Sequence, residues 1–94
     1  MLLSRVKIIG HSMLPSYKNN DYVIVTSIPY LFSKPKVGDV VVFEKSGKNF
    51  VKRVSDIEDN NLFVLGDNKN DSLDSRKIGA IKRKDIKGKV IIKI

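Results

Sequence analysis

No stretch of this chain holds an apolar repeat of helical period; its apolar residues come in short runs that turn signals cut apart. Val6–Ile9, Tyr22–Thr26, Asp39–Glu44, Asn49–Ser55, Leu62–Leu65 and Lys89–Ile94 are rich in β-branched and aromatic residues and read as strands. Ser46-Gly47 predicts a hairpin between the third and fourth runs, and Asp59-Asn60-Asn61 a second tight reversal into Leu62. Six short strands with polar turns predict an all-β coiled sheet or barrel with little or no helix. Ninety-four residues suit one domain, 1–94, with a modest core, and 41% apolar residues are enough to fold it. The segment Ser27–Pro35 stands apart. Its two prolines make it a loop, yet Ile28, Tyr30, Leu31 and Phe32 are apolar. Such a tip either covers one end of the core or forms a lip facing substrate or membrane.

Composition excludes several classes of function. There is no cysteine, so disulfides and thiolate metal sites are ruled out, and one histidine cannot build an imidazole-rich metal centre. No metal and no cofactor are expected. The longest apolar runs, such as Val40–Phe43, fall far short of the roughly 20 residues that span a bilayer. The N-terminus is too short and too charged for a signal-peptide core. A net charge of +8, from 18 Lys and Arg against 10 Asp and Glu, is compatible with nucleic acid, anionic lipid or an acidic partner. The cations are spread along the chain, however, and many lysine-rich proteins carry such a surface with no polyanionic ligand.

Individual residues say more. In Phe50-Val51-Lys52-Arg53-Val54, strand alternation puts Phe50, Lys52 and Val54 on one face and Arg53 on the other. If the first face points inward, the lysine is desolvated, which disfavours its charged form and suits it to act as a general base. The plainer alternative is an edge lysine whose stem lies along the sheet with its head in water. Ser12, in Gly10-His11-Ser12-Met13-Leu14-Pro15, sits where a strand ends and the chain must bend. Gly10 permits unusual backbone angles there, and Pro15 stiffens the exit. A serine on that bend can present its hydroxyl and aim its own N–H at a developing oxyanion, or it can be an ordinary turn serine. His11 is not its partner, because neighbours in extended chain point to opposite sides. With no second histidine, a Ser-His-Asp triad cannot form. A nucleophilic Ser12 needs another base, and Lys52 is the best placed by type and context.

The segment Gly66-Asp67-Asn68-Lys69-Asn70-Asp71-Ser72-Leu73-Asp74-Ser75-Arg76 concentrates more donors and acceptors than a chain reversal requires. With Gly10–Pro15, Gly38–Phe43, Val51–Val54 and the closing Gly79 and Asp85–Val90, taken in order, it resembles the type I signal peptidase family. LexA-type self-cleaving repressors share the Ser-Met and Lys-Arg pairs but lack the Gly-Asp-Asn-x-x-x-Ser-x-Asp-Ser-Arg loop. The resemblance implies a LexA-like β catalytic core and a serine endopeptidase that removes an N-terminal signal or pro-segment from a precursor through an acyl-enzyme.

The same resemblance implies roles position by position. Ser12 is the nucleophile and Lys52 the general base, while Ser72 orients the lysine amine. Asp74 and Arg76 brace the loop, Asp67 pairs with Arg53, and Met13 lines the cleft. Where some members carry a serine that helps bind the oxyanion, this chain has Gly10. It also opens at the first catalytic strand and has a short hairpin where typical members insert β structure. It therefore resembles small unanchored relatives that trim one precursor, such as those maturing nickel superoxide dismutase, and is expected to be cytoplasmic or peripheral to the membrane. The expected partner is a precursor protein or signal peptide, with peripheral contact to an anionic membrane through Tyr30–Phe32 beside Lys34 and Lys36. The rival from another class is a basic β module binding nucleic acid. Aromatics at 7%, not interleaved with Lys or Arg on any strand, speak against it.

Overall fold

The computed structural model describes residues 2–68 and 79–94. They form a seven-stranded antiparallel sheet with strands β1 (Ser4–Lys7), β2 (Tyr22–Thr26), β3 (Val40–Lys45), β4 (Lys48–Glu58), β5 (Asn61–Leu65), β6 (Ile81–Lys82) and β7 (Ile86–Lys93). Their order across the sheet is β1-β2-β7-β3-β4-β5-β6. The all-β expectation holds: among the described residues, helix is confined to the single turn α1 (Pro29–Phe32) and a 3₁₀ turn at Arg83–Asp85.

The central strand β3 explains the architecture. Val40, Val41, Val42 and Phe43 are all buried, so both faces of this strand are covered. Alternation divides them between two cores. Val40 and Val42 pack with Ile8, Met13, Val23, Val25 and Val90 on one side. Val41 and Phe43 pack with Val54, Leu62, Val64 and Ile81 on the other. Phe43 stacks on its cross-strand partner Phe50 with ring centroids 5.5 Å apart, tying β3 to β4 on the second face.

Both expected reversals are present. Lys45 pairs with Lys48 across Ser46-Gly47, and positive φ at both loop residues marks a turn whose twist matches the strands. Glu58 pairs with Asn61 across Asp59-Asn60. Strand ends shift by a few residues: β1 lies at Ser4–Lys7, ahead of the expected Val6–Ile9, and β7 begins at Ile86. Two elements depart from the sequence reading. Ile81–Lys82 forms a short edge strand that pairs with Asn61 and Leu62. The proline loop contains α1, because Pro29 occupies the first helical turn, where a missing N–H costs nothing.

Tyr30 anchors that turn. Its hydroxyl donates to Asp39 Oδ2 at 2.7 Å, and Arg83 donates to the carbonyls of Tyr30 and Ser33. Asp39 also accepts from the Lys36 N–H and lies 3.5 Å from Lys89 Nζ. Burial pushes the Asp39 carboxyl up, but the hydrogen bonds from Tyr30 and Lys36, with Lys89 beside them, hold it below its ordinary value. Leu31 and Phe32 are left pointing outward, exposed by 67% and 85%. Among the described residues no helix is long and apolar enough to cross a membrane.

Gly88, opposite Val42 on β7, is closely packed. A Cβ there would stand 2.7 Å from Val25 Cγ1 and 3.0 Å from the Thr26 carbonyl oxygen. Because that oxygen is backbone, the clash cannot be relieved by a rotamer. Gly88→Ala is expected to destabilise the protein by about 1–3 kcal/mol in urea denaturation, the usual range for overpacking. Wild-type stability in this variant would show that β2 and β7 separate readily.

Candidate active site

A cleft of about 370 Å³ opens between β1 and the first half of β4, with Val42 of β3 and Lys87 of β7 also lining it. β1 hydrogen-bonds to β2 along one edge. Lys48–Lys52 pair with β3, and β5 joins β4 only from Arg53 onward. Among the described strands, the cleft is therefore bounded by two strand edges that have no neighbour on that side. Ser12 and Lys52 both line it, as does Met13.

Lys52 stands opposite Val41 in the ladder, on the face shared with Phe50 and Val54. It is 3% exposed, which makes it the most deeply buried charged residue among those described. Val51 packs on the first core, and Arg53 turns away from Lys52, so the strand alternates cleanly. Ser12 opens a run of turns covering residues 12–16 and does not lie in extended chain. There the Leu14 N–H donates to the His11 carbonyl and the Tyr17 N–H to the Met13 carbonyl. Met13, only 1% exposed, plugs this turn into the first core. Gly10 takes φ +92°, a left-handed conformation costly for other residues, and its N–H donates to Asn19 Oδ1 at 2.8 Å. The exposed His11 contributes its carbonyl to the framework.

Two neighbouring residues fasten the Ser12 turn to β4. Asp67 accepts from Arg53 Nε and Nη2, both at 2.9 Å, in a bidentate pair, and from the Ser16 hydroxyl at 2.5 Å. Arg53 also donates to the Gly38 carbonyl. Asn68 donates its backbone N–H to the Ser12 carbonyl at 2.8 Å and its side-chain amide to the His11 carbonyl at 3.0 Å. Hydrogen bonds from Arg53 hold the Asp67 carboxyl below its ordinary value, reinforced by Ser16, and outweigh the upward push of burial. Ser16 and Asn68 were not among the residues singled out from the sequence. Asn68 carried a signal in the Gly66-Asp67-Asn68 string; Ser16 carried none, since its partner lies 51 residues away. Ser72, Asp74 and Arg76 lie outside the described residues.

Comparison with known proteins fits this architecture. The family model for signal peptidase, peptidase S26, matches residues 1–55 and 54–94. The chain belongs to the signal peptidase S26 family. Among similar proteins, signal peptidase I of Leptolyngbya laminosa is 27% identical over 89% of this chain and 64% of its own length. The probable signal peptidase I-1 of Synechocystis sp. (strain ATCC 27184 / PCC 6803 / Kazusa) is 26% identical over 87% of this chain and 66% of its own length. The chain thus spans just under two thirds of each of these relatives. The first alignment runs over 131 positions against a chain of 94, so that relative carries insertions within the shared region.

The Arg53–Asp67 pair yields a pH-dependent prediction. A carboxyl whose folded value is depressed stabilises the fold above its unfolded value and loses that contribution as pH falls through its folded value. Arg53 is 39% exposed, so solvent screens the pair. Asp67→Asn is expected to cost about 1 kcal/mol at pH 7. In chemical denaturation the gap from wild type should narrow as acid protonates Asp67. An equal gap in strong acid would assign the loss to packing.

Proposed function

We propose that this chain is a serine endopeptidase that removes an N-terminal signal or pro-segment from a precursor protein. The observation that carries this reading is the shared cleft of Ser12 and a buried Lys52, in a chain of the signal peptidase family. The two strand edges, unpaired among the described strands, suit an extended peptide, which gains main-chain hydrogen bonds by adding itself as a strand. Met13 and Val42 are among the residues that line the cleft, and the family resemblance implies shallow pockets there for small side chains.

In this mechanism Ser12 Oγ attacks the scissile carbonyl carbon while Lys52 Nζ takes the hydroxyl proton. Burial of the kind Lys52 experiences disfavours an ammonium and so favours the neutral amine that a base requires. The Ser12 N–H faces the developing oxyanion. As the tetrahedral adduct collapses, Lys52 returns the proton to the leaving amine and an ester to Ser12 remains. Water, deprotonated by the same lysine, then hydrolyses that ester and frees Ser12. Ser72 orients the amine and Asp74 and Arg76 brace their loop, the roles that family resemblance implies. Asp67, Arg53 and Asn68 are positioning residues.

Contact with an anionic membrane is part of the same reading. Leu31 and Phe32 project from α1 beside Lys34 and Lys36, and Arg83 and Lys84 border the shallow groove behind them. An apolar tip within a basic ring is the composition of an interfacial anchor. The alternative substrate range is one dedicated precursor, as in maturation of nickel superoxide dismutase.

Ser12→Ala and Lys52→Ala are each expected to abolish cleavage of a precursor peptide, read by mass spectrometry, while circular dichroism shows a folded protein. Cleavage by folded Lys52→Ala would remove lysine as the base. The rate should rise with pH as Lys52 loses its proton, so a maximum well below neutral pH counts against this mechanism. Vesicles containing phosphatidylserine are expected to co-sediment the wild type at low salt and to release a Leu31→Ser/Phe32→Ser variant. Equal sedimentation of both would place any lipid contact elsewhere.

A further inference from the structure

The cleft carries a charge pattern that the reaction does not require. Of the residues that line it, Lys7, Lys52 and Lys87 are the ionisable ones, and no carboxylate is present among those described. Lys7 ends β1 and is exposed, with no ion pair among the described residues. Lys87 belongs to β7, which lies between β2 and β3 in strand order, and also lines the cleft. Its one described carboxylate neighbour is Glu44, 3.7 Å away, with both side chains about half exposed, so solvent screens much of that contact. Two exposed cations therefore line a cleft whose other lining is mostly apolar, where field lines are focused and screening is weaker than on open surface.

We propose that Lys7 and Lys87 make the cleft select peptides with acidic residues close to the scissile bond and disfavour those with basic residues there. This rests on the reading of the cleft as the peptide site. A peptide laid along the free edge of β1 passes both ammonium groups, and successive side chains of an extended segment reach alternate walls. A carboxylate at such a position gains attraction to one or both lysines. A lysine at the same position meets like charge. At solvent-accessible pairs of this kind each favourable contact changes binding by about two- to fivefold, so Glu against Lys at one position should differ by more than either against Gln.

The test is a matched peptide series in which each position flanking the cleaved bond carries Gln, Glu or Lys in turn. Cleavage by wild type is followed by mass spectrometry, and binding to the Ser12→Ala protein by fluorescence anisotropy. Glu peptides are expected to bind and react faster than Gln, and Gln faster than Lys. The spread should shrink between about 0.05 M and 0.5 M salt as the Debye length contracts. In Lys7→Gln/Lys87→Gln the Glu-to-Lys ratio should fall toward one, and Lys7→Glu should push it below the double variant. Because the readout is a ratio within each variant, a general loss of turnover cancels. Equal binding and cleavage of Glu and Lys peptides would overturn the preference and leave the peptidase reading standing. A charge-ordered binding series without cleavage would do the reverse. An undiminished ratio in the double variant would assign the preference to the overall +8 surface and overturn the role of the two lysines.

Discussion

Burial of β3 on both faces is the constraint on which the rest of the molecule depends. A strand with Val40, Val41, Val42 and Phe43 all covered needs apolar partners on two sides. One antiparallel sheet of this size meets that need only by coiling, so that one flank folds over each face. The β1-β2 flank supplies Ile8, Val23 and Val25 to one core. The β5-β6 flank supplies Leu62, Val64 and Ile81 to the other. Coiling is also what brings β1, at the far end of the hydrogen-bonded order, across from the first half of β4. The cleft is a by-product of satisfying β3.

β4 inherits the same two-sidedness and divides its residues between tasks. Phe50 and Val54 follow Val41 and Phe43 into the second core, and Lys52, between them on the same face of the strand, is buried at the cleft. Arg53, one residue on, emerges on the opposite side and holds Asp67. A register slip of one residue would exchange these environments, exposing the lysine and burying the guanidinium. The Phe43–Phe50 stack and the Ser46-Gly47 turn pin the register against that slip. The position of Lys52 in the cleft and the anchoring of Asp67 are thus one structural fact seen from two faces.

What could be read from the chain divides along the same physical line. Period-two alternation and tight-turn residues are local signals, and they placed β2 at its observed limits and both hairpin reversals. They also grouped Lys52 with Phe50 and Val54. Ile81–Lys82 is too short to carry a period, and it becomes a strand because Asn61 and Leu62 offer it an edge. The α1 turn was hidden by its prolines, although Pro29 stands where a helix tolerates one. Ser16–Asp67 and Asn68–His11 join residues 51 and 57 positions apart, and no local pattern encodes such contacts. The family resemblance supplied the pairing of Asp67 with Arg53, but neither Ser16 nor Asn68 followed from it.

Those long-range contacts decide how the Ser12 turn is held. The turn has one deep apolar anchor, Met13, and its own backbone bonds span only a few residues. A single anchor fixes a turn in depth but leaves it free to rotate about that point. Asn68 removes this freedom by bonding the Ser12 and His11 carbonyls at once, and Asp67 fixes the far end through Ser16. Both residues sit at the start of the polar segment that follows Leu65, and Arg53 ties that start to the strand bearing Lys52. Ser16, Arg53, Asp67 and Asn68 thus form a four-residue bridge between the Ser12 turn and the strand that bears Lys52.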